Sequence, residues 1–486
     1  MTGRRTAAPA PAAAPVALLP AERRLLLDLM ELRTAGPLET GPDGPAPRLW
    51  EAQRAYAEAA ARTGLTVVHH AAPGPSVLDR AGVPATVREA AADPDFLRCQ
   101  PSMVLRLGPE RPAARTVMFN VHLDTVAGWE PPVYRDGRFH GRGAIDAKGP
   151  AVALLAGLRH AVDTVPGLGS TTGVLVQVVS GEEGGAMGCY GTRPLVEAGH
   201  TGRINIFCEP TRSRLVPRST AAATARVRVA GTDSIDDMPG GGHNATVLLG
   251  FLARHLAERL PGRVPGGRVC VAGLHTGDLH NKVYGSGRLL LNLAYGTADA
   301  GAALQAELER ELRTGLAAFA ELFGGRPDFA RTAADAAAIT TLDWLKHGLP
   351  ALDDHDPWAE RLLGEAAGLP YAPPDEPACT CDAIWMHGVP GAYTAVFGPG
   401  DLDANNAHAD GEYADAGDLE AYAAAVATLL RHFTDHAPDG DPGGNPHGNP
   451  DHAPDGAPAG IPDGNPGRGP GRDPDGAPRG EPRRDP

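Results

Sequence analysis

The chain has 486 residues, of which 42% are hydrophobic, 5% aromatic and 21% charged, with a formal net charge of −15. That excess of carboxylates argues against a nucleic-acid partner, whose binding surface needs clustered cations, and no apolar run reaches the ~18 residues of a membrane span. Six scattered cysteines with no Cys-x-x-Cys pair predict reduced thiols and a cytoplasmic setting.

Residues 1–18 read as a flexible arm. Its Arg4-Arg5 start imitates a secretory signal, but Pro9, Pro11 and Pro15 break the apolar stretch that such a signal needs. Residues 19–217 alternate strand and helix patterns and form the first part of a catalytic domain. Thr116–Val121, Val174–Val179 and Ile204–Phe207 are short apolar runs of buried-strand type. Pro150 opens a helix with Leu155, Leu158 and Val162 at helical spacing. Such alternation predicts an α/β sheet with helices on both faces and ligands beyond the strand ends.

Residues 218–330 change character. Ala223, Ala225, Val227 and Val229 alternate as in a half-exposed strand, Val247–Leu260 and Ala302–Phe323 are helical, and Leu289–Leu293 is strand-like. Two helices on a small antiparallel sheet predict a lid-like insertion. Residues 331–436 then return to the catalytic domain through Trp358–Ala366, Gly391–Phe397 and the helix Leu419–Phe433. The Pro-, Gly- and Asp-rich stretch 437–486 lacks hydrophobic periodicity and reads as a disordered tail.

Five segments carry chemistry. His122-Leu123-Asp124 follows a strand, and an imidazole with a nearby carboxylate suits a metal ligand with its orienting partner. Asp146 lies in the Gly-rich run Gly141–Gly149 ahead of a helix, where a carboxylate can approach two cations. Glu182-Glu183 sits between Gly181 and Gly184 after a strand, so one carboxylate can ligate while the other handles protons. Glu209 stands in Cys208-Glu209-Pro210-Thr211, and His408 in the stretch Asn406–Glu412.

Together and in this order, over residues from about 20 to 435, these segments resemble the M20 family of metallopeptidases and deacylases. The similarity is nearest to its acetylornithine deacetylase and succinyl-diaminopimelate desuccinylase branch. The resemblance implies an α/β, mixed-sheet (phosphorylase/hydrolase-like) catalytic domain with an inserted α+β lid that serves for dimerisation. It implies two divalent ions, zinc first and cobalt or manganese as alternatives. One would be held by His122, Asp146 and Glu209, the other by Asp146, Glu183 and His408. Asp124 would support His122, and Glu182 would be the general base toward a water bridging the metals. The implied activity is hydrolysis of an N-acyl amino acid or small peptide-like amide, with a small-molecule substrate and a homodimer through the lid.

The lid departs from the family pattern. Gly231, Pro239, Gly242, Asn244 and Ala245 keep the register, but Ile235 stands where the family has a histidine that helps stabilise the oxyanion. Removing such a donor costs about 3–4 kcal/mol of transition-state stabilisation. His243, His275 and His280 are the candidates to replace it. Asn292-Leu293-Ala294 occupies the place of a family Asp-x-Arg, and Ile384 that of another arginine. Asn281 fits the family's asparagine ahead of that strand, and Arg218 and Arg288 are candidate carboxylate binders. These changes keep two further readings open. One is a specialised biosynthetic deacylase or peptidase acting on a modified or carrier-bound substrate; the other is a non-catalytic binding protein that retains its metals.

Overall fold

The computed structural model describes residues 16–438; the arm up to residue 15 and the tail from residue 439 lie outside the described residues. The arm's last residues are pinned rather than loose. Val16 and Leu18 are buried, and their amides donate to the carbonyl and the carboxylate of Glu420.

Helices α1 (Pro20–Glu31) and α2 (Leu49–Ala61) precede strands β1 (Leu65–Ala71), β2 (Ser102–Leu107) and β3 (Thr116–His122). The apolar run of β3 is buried at every position, as a strand covered on both faces requires. Helix α3 (Lys148–Thr164) buries Leu155 and Leu158, whereas Val162 is exposed, so its buried face ends at Ala161. Strands β4 (Gly173–Val179) and β5 (Ile204–Phe207) follow.

The insertion contains β6 (Ala221–Ala230), α4 (Ala245–Arg259), β7 (Gly267–His275), β8 (Ser286–Tyr295), α5 (Ala298–Phe323), α6 (Ala330–Ile339) and β9 (Thr340–Lys346). Its four strands run in the order β7-β8-β6-β9, all antiparallel. Ala223, Ala225, Val227 and Val229 of β6 pack with Leu248, Leu252, Leu304 and Leu308 of the helices, as their alternation predicts. Residues 331–346, expected to lie in the returning catalytic segment, instead complete this layer. The cause is pairing: β9 is hydrogen-bonded along β6 from Thr340 to Lys346.

The chain returns through a short helical turn (Pro357–Glu360) that widens over Arg361–Ala366, then β10 (Tyr393–Val396) and α7 (Ala416–His436). The first sheet has the order β1-β2-β4-β3-β5-β10. Strands β4, β3, β5 and β10 are mutually parallel, and β1 and β2 form an antiparallel edge. The sheet is therefore mixed, and the loops after its parallel strands gather at one edge.

Helices α3 and α7 approach closely at Gly157. A Cβ there would lie 2.6 Å from the Ala423 carbonyl oxygen and 2.9 Å from the Val426 Cβ. Gly157→Ala is expected to destabilise the fold by about 1–3 kcal/mol through overpacking. Denaturant unfolding reads this directly, and an unchanged midpoint would contradict the packing.

Candidate metal centre

The edge of the mixed sheet delivers the carboxylates and imidazoles. His122 is the last residue of β3, Glu182 and Glu183 follow β4, and Glu209 follows β5. Asp146 lies just ahead of α3, and His408 lies in the loop between β10 and α7. The peptide between Asp146 and Ala147 is cis. Gly181 lets the paired glutamates turn inward: its φ is +77°, and a Cβ would meet the Tyr190 ring at 2.1 Å.

Asp146 stands at the centre. Its Oδ1 is 3.0 Å from His122 Nε2 and its Oδ2 is 3.0 Å from His408 Nε2. His122 Nε2 also lies 3.6 Å from Glu209 Oε1, and His408 Nε2 lies 3.2 Å from Glu183 Oε1. Three groups of donor atoms each fit within 4.8 Å: His122, Asp146 and Glu209; Asp146, Glu183 and His408; and His122, Glu182 and Glu183. Two ligand atoms on one zinc ion at ordinary bond lengths sit roughly 3.3 Å apart at a tetrahedral angle. The observed separations bracket that value, so the first two groups could each hold one divalent cation, with Asp146 shared between them. The nitrogen and oxygen donors suit zinc, cobalt or manganese.

Asp124 works differently from the expected imidazole–carboxylate pair. His122 Nδ1 lies 3.0 Å from the backbone carbonyl of Asp124 and 3.6 Å from its carboxylate. A carbonyl only accepts, so the Nδ1–H points there and Nε2 is the nitrogen turned toward a cation. The Asp124 carboxylate instead accepts the amides of Gly181 and Glu183, each at 3.0 Å, which ties the glutamate turn to the histidine turn.

The crowding of carboxylates governs the protons. Burial alone would lower His122, but the charge of Glu209, the hydrogen bond to Asp146 and the nearby Asp124 carboxylate raise it well above the ordinary value. Hydrogen bonds to Asp146 and Glu183 raise His408 to about 10. Burial pushes Asp146 up, yet its two histidine partners hold it below the usual carboxylate range. Burial and then neighbouring carboxylates raise Glu182 well above its ordinary value and Glu183 to about 7. A divalent cation would displace the histidine protons and favour the ionised glutamates, so its affinity should strengthen as pH rises.

The sequence profile of Peptidase family M20/M25/M40 matches residues 118–432, more than half of the chain. The chain belongs to this family. No curated protein sequence matches it. Among solved structures, aminopeptidase PepT from Bacillus cereus ATCC 10987 is 15% identical with a TM-score of 0.59, covering 85% of this chain and 98% of that one. The M20 family metallo-carboxypeptidase Sso-CP2 from Sulfolobus solfataricus is 12% identical with a TM-score of 0.60, covering 86% and 100%. The Bacillus subtilis YXEP protein, a dinuclear metal binding peptidase from the M20 family, is 10% identical with a TM-score of 0.53, covering 85% and 98%. Identities this low show a common fold, here a mixed-sheet domain with an inserted α+β layer.

The lid residues proposed from this M20 chain's sequence fare unevenly. His243 is buried; its Nδ1 faces the amide and hydroxyl of Thr232, and its Nε2 lies 3.1 Å from Asp335. Both ring nitrogens are engaged inside the lid, so His243 has none to offer an oxyanion. Arg218 is likewise engaged, donating to the carbonyls of Pro373 and Glu376. Asn281 and Arg288 are exposed, as are His275 and His280, and none of these shares a hydrogen bond or ion pair with the cluster among the described residues. Ile235 is 57% exposed.

Two supporting residues lie in segments the sequence singles out, Glu412 in Asn406–Glu412 and Asp382 in Thr380–Ala383, without a role assigned to them there. Glu412 accepts Arg142 Nη1 at 2.7 Å and the amides of Gly143, Ile145 and Asp146 at 3.1, 2.9 and 3.2 Å. It thereby fixes the Asp146 loop from 266 to 270 residues away in sequence; only its place in the His408 segment hinted at a role. Asp382 is fully buried, accepts the Thr192 hydroxyl, and is raised to about 7 by burial and by the charges of Glu209 and Asp124.

Glu412→Ala should destabilise the protein by about 3–5 kcal/mol, because it leaves Arg142 buried without its partner; an unfolding midpoint equal to the parent's would contradict this. For Asp382, the folded protein holds the proton more tightly than the unfolded chain. The contribution is full below about pH 4 and is lost as pH rises through about 7. Asp382→Asn, which stays neutral, should therefore flatten the fall in stability of metal-free protein between about pH 4 and about pH 7. Parallel curves for the two proteins would refute the assignment.

Proposed function

We propose that the chain is a two-metal amidohydrolase cleaving an N-acyl amino acid or a small peptide-like amide. The carrying observation is that Asp146 presents one carboxylate oxygen to each of two histidines, each backed by a further glutamate. His122, Asp146 and Glu209 would hold one ion, and Asp146, Glu183 and His408 the other, with zinc the first choice. Bound there, divalent ions supply Lewis acidity toward a scissile carbonyl and acidify water.

The chain's own groups do the rest. Glu182 is the general base: its carboxylate takes a proton from the attacking water and passes it to the leaving nitrogen. Its place among the donors around His122 and the upward shift of its pKa support that role. Asp124 keeps the Glu182-Glu183 turn in register with His122. The His408 side chain is 52% exposed while His122 is 1% exposed, which favours substrate entry from the His408 side. Peptidases among the structural neighbours favour short peptides over acetylated amino acids as the first substrates to test.

A second reading rests on the lid. Ile235 supplies no donor, and His243 is held by Asp335, which favours a modified or carrier-bound substrate over a free acyl-amino acid. Turnover of both kinds by one preparation separates the two readings. The homodimer through the lid is a further expectation, checked by light scattering.

Protein loaded with two equivalents of zinc, cobalt or manganese should hydrolyse members of a panel of di- and tripeptides, N-acyl amino acids and carrier-linked amides. No turnover across that panel would count against the proposal. Glu182→Gln should lower kcat by about 10²–10⁴-fold while the metal content stays the same. A variant that retains full activity would remove Glu182 from its role, and a protein whose function persists in it would be a binder.

A further inference from the structure

The sheet of the inserted layer packs one face under α4 and α5, and its other face carries arginines. Alternation puts Thr224, Arg226 and Arg228 of β6 on the side away from the buried Ala225, Val227 and Val229. Pairing then fixes their neighbours. Arg288 of β8 and Thr341 of β9 flank Arg228, Leu290 and Asp343 flank Arg226, and Asn292 and Lys346 flank Thr224. Arg268 and Cys270 of the edge strand β7 stand beside Ala294 and Asn292 on the same face. The Arg228 side chain is 51% exposed, and Arg268, Cys270, Arg288 and Thr341 are exposed as well.

The cations of this face are poorly balanced. Asp343 serves two of them, lying 3.1 Å from Arg226 Nη2 and 3.6 Å from Arg228 Nε. Arg288, Arg268 and half-buried Lys346 have no ion pair among the described residues. Arg288 is paired directly across from Arg228, and like charges so placed are destabilising. All this occurs on a chain whose net charge is −15. Strand spacing and rise give the face about 20 Å by about 14 Å, too wide for one carboxylate to serve. Half-buried Leu290 sits at its middle, and an apolar centre with a charged rim is the anatomy of a protein contact. No Phe, Tyr or Trp stands at these positions, so the stacking platform that single-stranded nucleic acid uses is missing. The loops at the Arg288 end of the sheet carry Asp236, Asp237 and Asp278, which oppose a membrane or phosphate backbone running past it.

We propose that this face docks an acidic protein, one whose surface sets several carboxylates around an apolar contact. Arg228, Arg288 and Arg268 receive the carboxylates, and Leu290 the apolar centre. Such a partner is the kind of carrier that a carrier-bound substrate calls for, and the proposal rests on that reading only for what the partner delivers. The charges are exposed, so docking weakens as salt rises.

Binding is measured on the full chain without metal, so that a failure of docking and a failure of hydrolysis are read separately. The probe is a labelled helical peptide with glutamates along one side and leucines along the other, and its glutamine counterpart is the control. The glutamate peptide should bind, lose affinity with salt, and slow maleimide labelling of Cys270, the one exposed cysteine among the described residues. Arg228→Glu combined with Arg288→Glu should weaken binding roughly tenfold or more, since each reversal turns an attraction into a repulsion. The milder Arg288→Gln should weaken it by a smaller factor. Arg259→Glu combined with Arg313→Glu makes the same charge change on exposed positions of α4 and α5, and should leave binding as it was. Equal binding of the two peptides, unslowed labelling of Cys270, or undiminished binding by the Arg228 and Arg288 double variant would overturn the proposal. Tighter binding of single-stranded DNA or of anionic vesicles would also overturn it. So would a doubled mass in light scattering that the double reversal abolishes, which would give the face to a second copy.

Discussion

Four carboxylates, Asp146, Glu182, Glu183 and Glu209, meet around two imidazoles at a largely dry sheet edge. Two like charges 4 Å apart cost about 4 kcal/mol even at an effective dielectric constant of 20. The group must therefore be balanced by protons or by cations. The raised histidines and glutamates are the proton-balanced form of that requirement. Divalent ions answer it with fixed charge, and the donor separations near 3 Å are already those of shared ligands.

Two carboxylates outside the ligand groups organise them. Asp124 joins the turn after β3 to the turn after β4 through backbone amides. Glu412 joins the His408 segment to the Asp146 loop through Arg142 and three amides. Backbone amides are fixed donors, so each carboxylate locks the relative position of two loops from different parts of the chain. Removing a ligand changes one donor; removing either organiser loosens two loops together.

The inserted layer obeys different constraints. Its interior is an ordinary sheet-and-helix core, with the alternating side chains of β6 packed under α4 and α5. Its departures from the family pattern lie at exposed Ile235 and at half-buried Asn292 and Ala294, while His243 is buried and held by Asp335. A core tolerates little change in volume. An exposed position such as Ile235 is free of that packing constraint and can change without disturbing the donor cluster.

Much of this was written into the local chain. Apolar runs such as Thr116–Val121 specify strands buried on both faces, and the alternation of Ala223 to Val229 specifies a sheet with one covered face. The order of His122, Asp146, Glu182-Glu183, Glu209 and His408 singled out groups that the fold gathers into one cluster of donor atoms. The end of the insertion was not legible, since β9 belongs to the second layer only through its pairing with β6. Nor were the role of Glu412 and the locked state of His243. Each depends on which residues meet across long stretches of sequence, and hydrogen bonds of that kind leave no periodicity behind. The sequence by itself determined which groups could do the chemistry. Only the tertiary structure decided which of them are free to do it, because burial and partner choice are settled when distant loops close on one another.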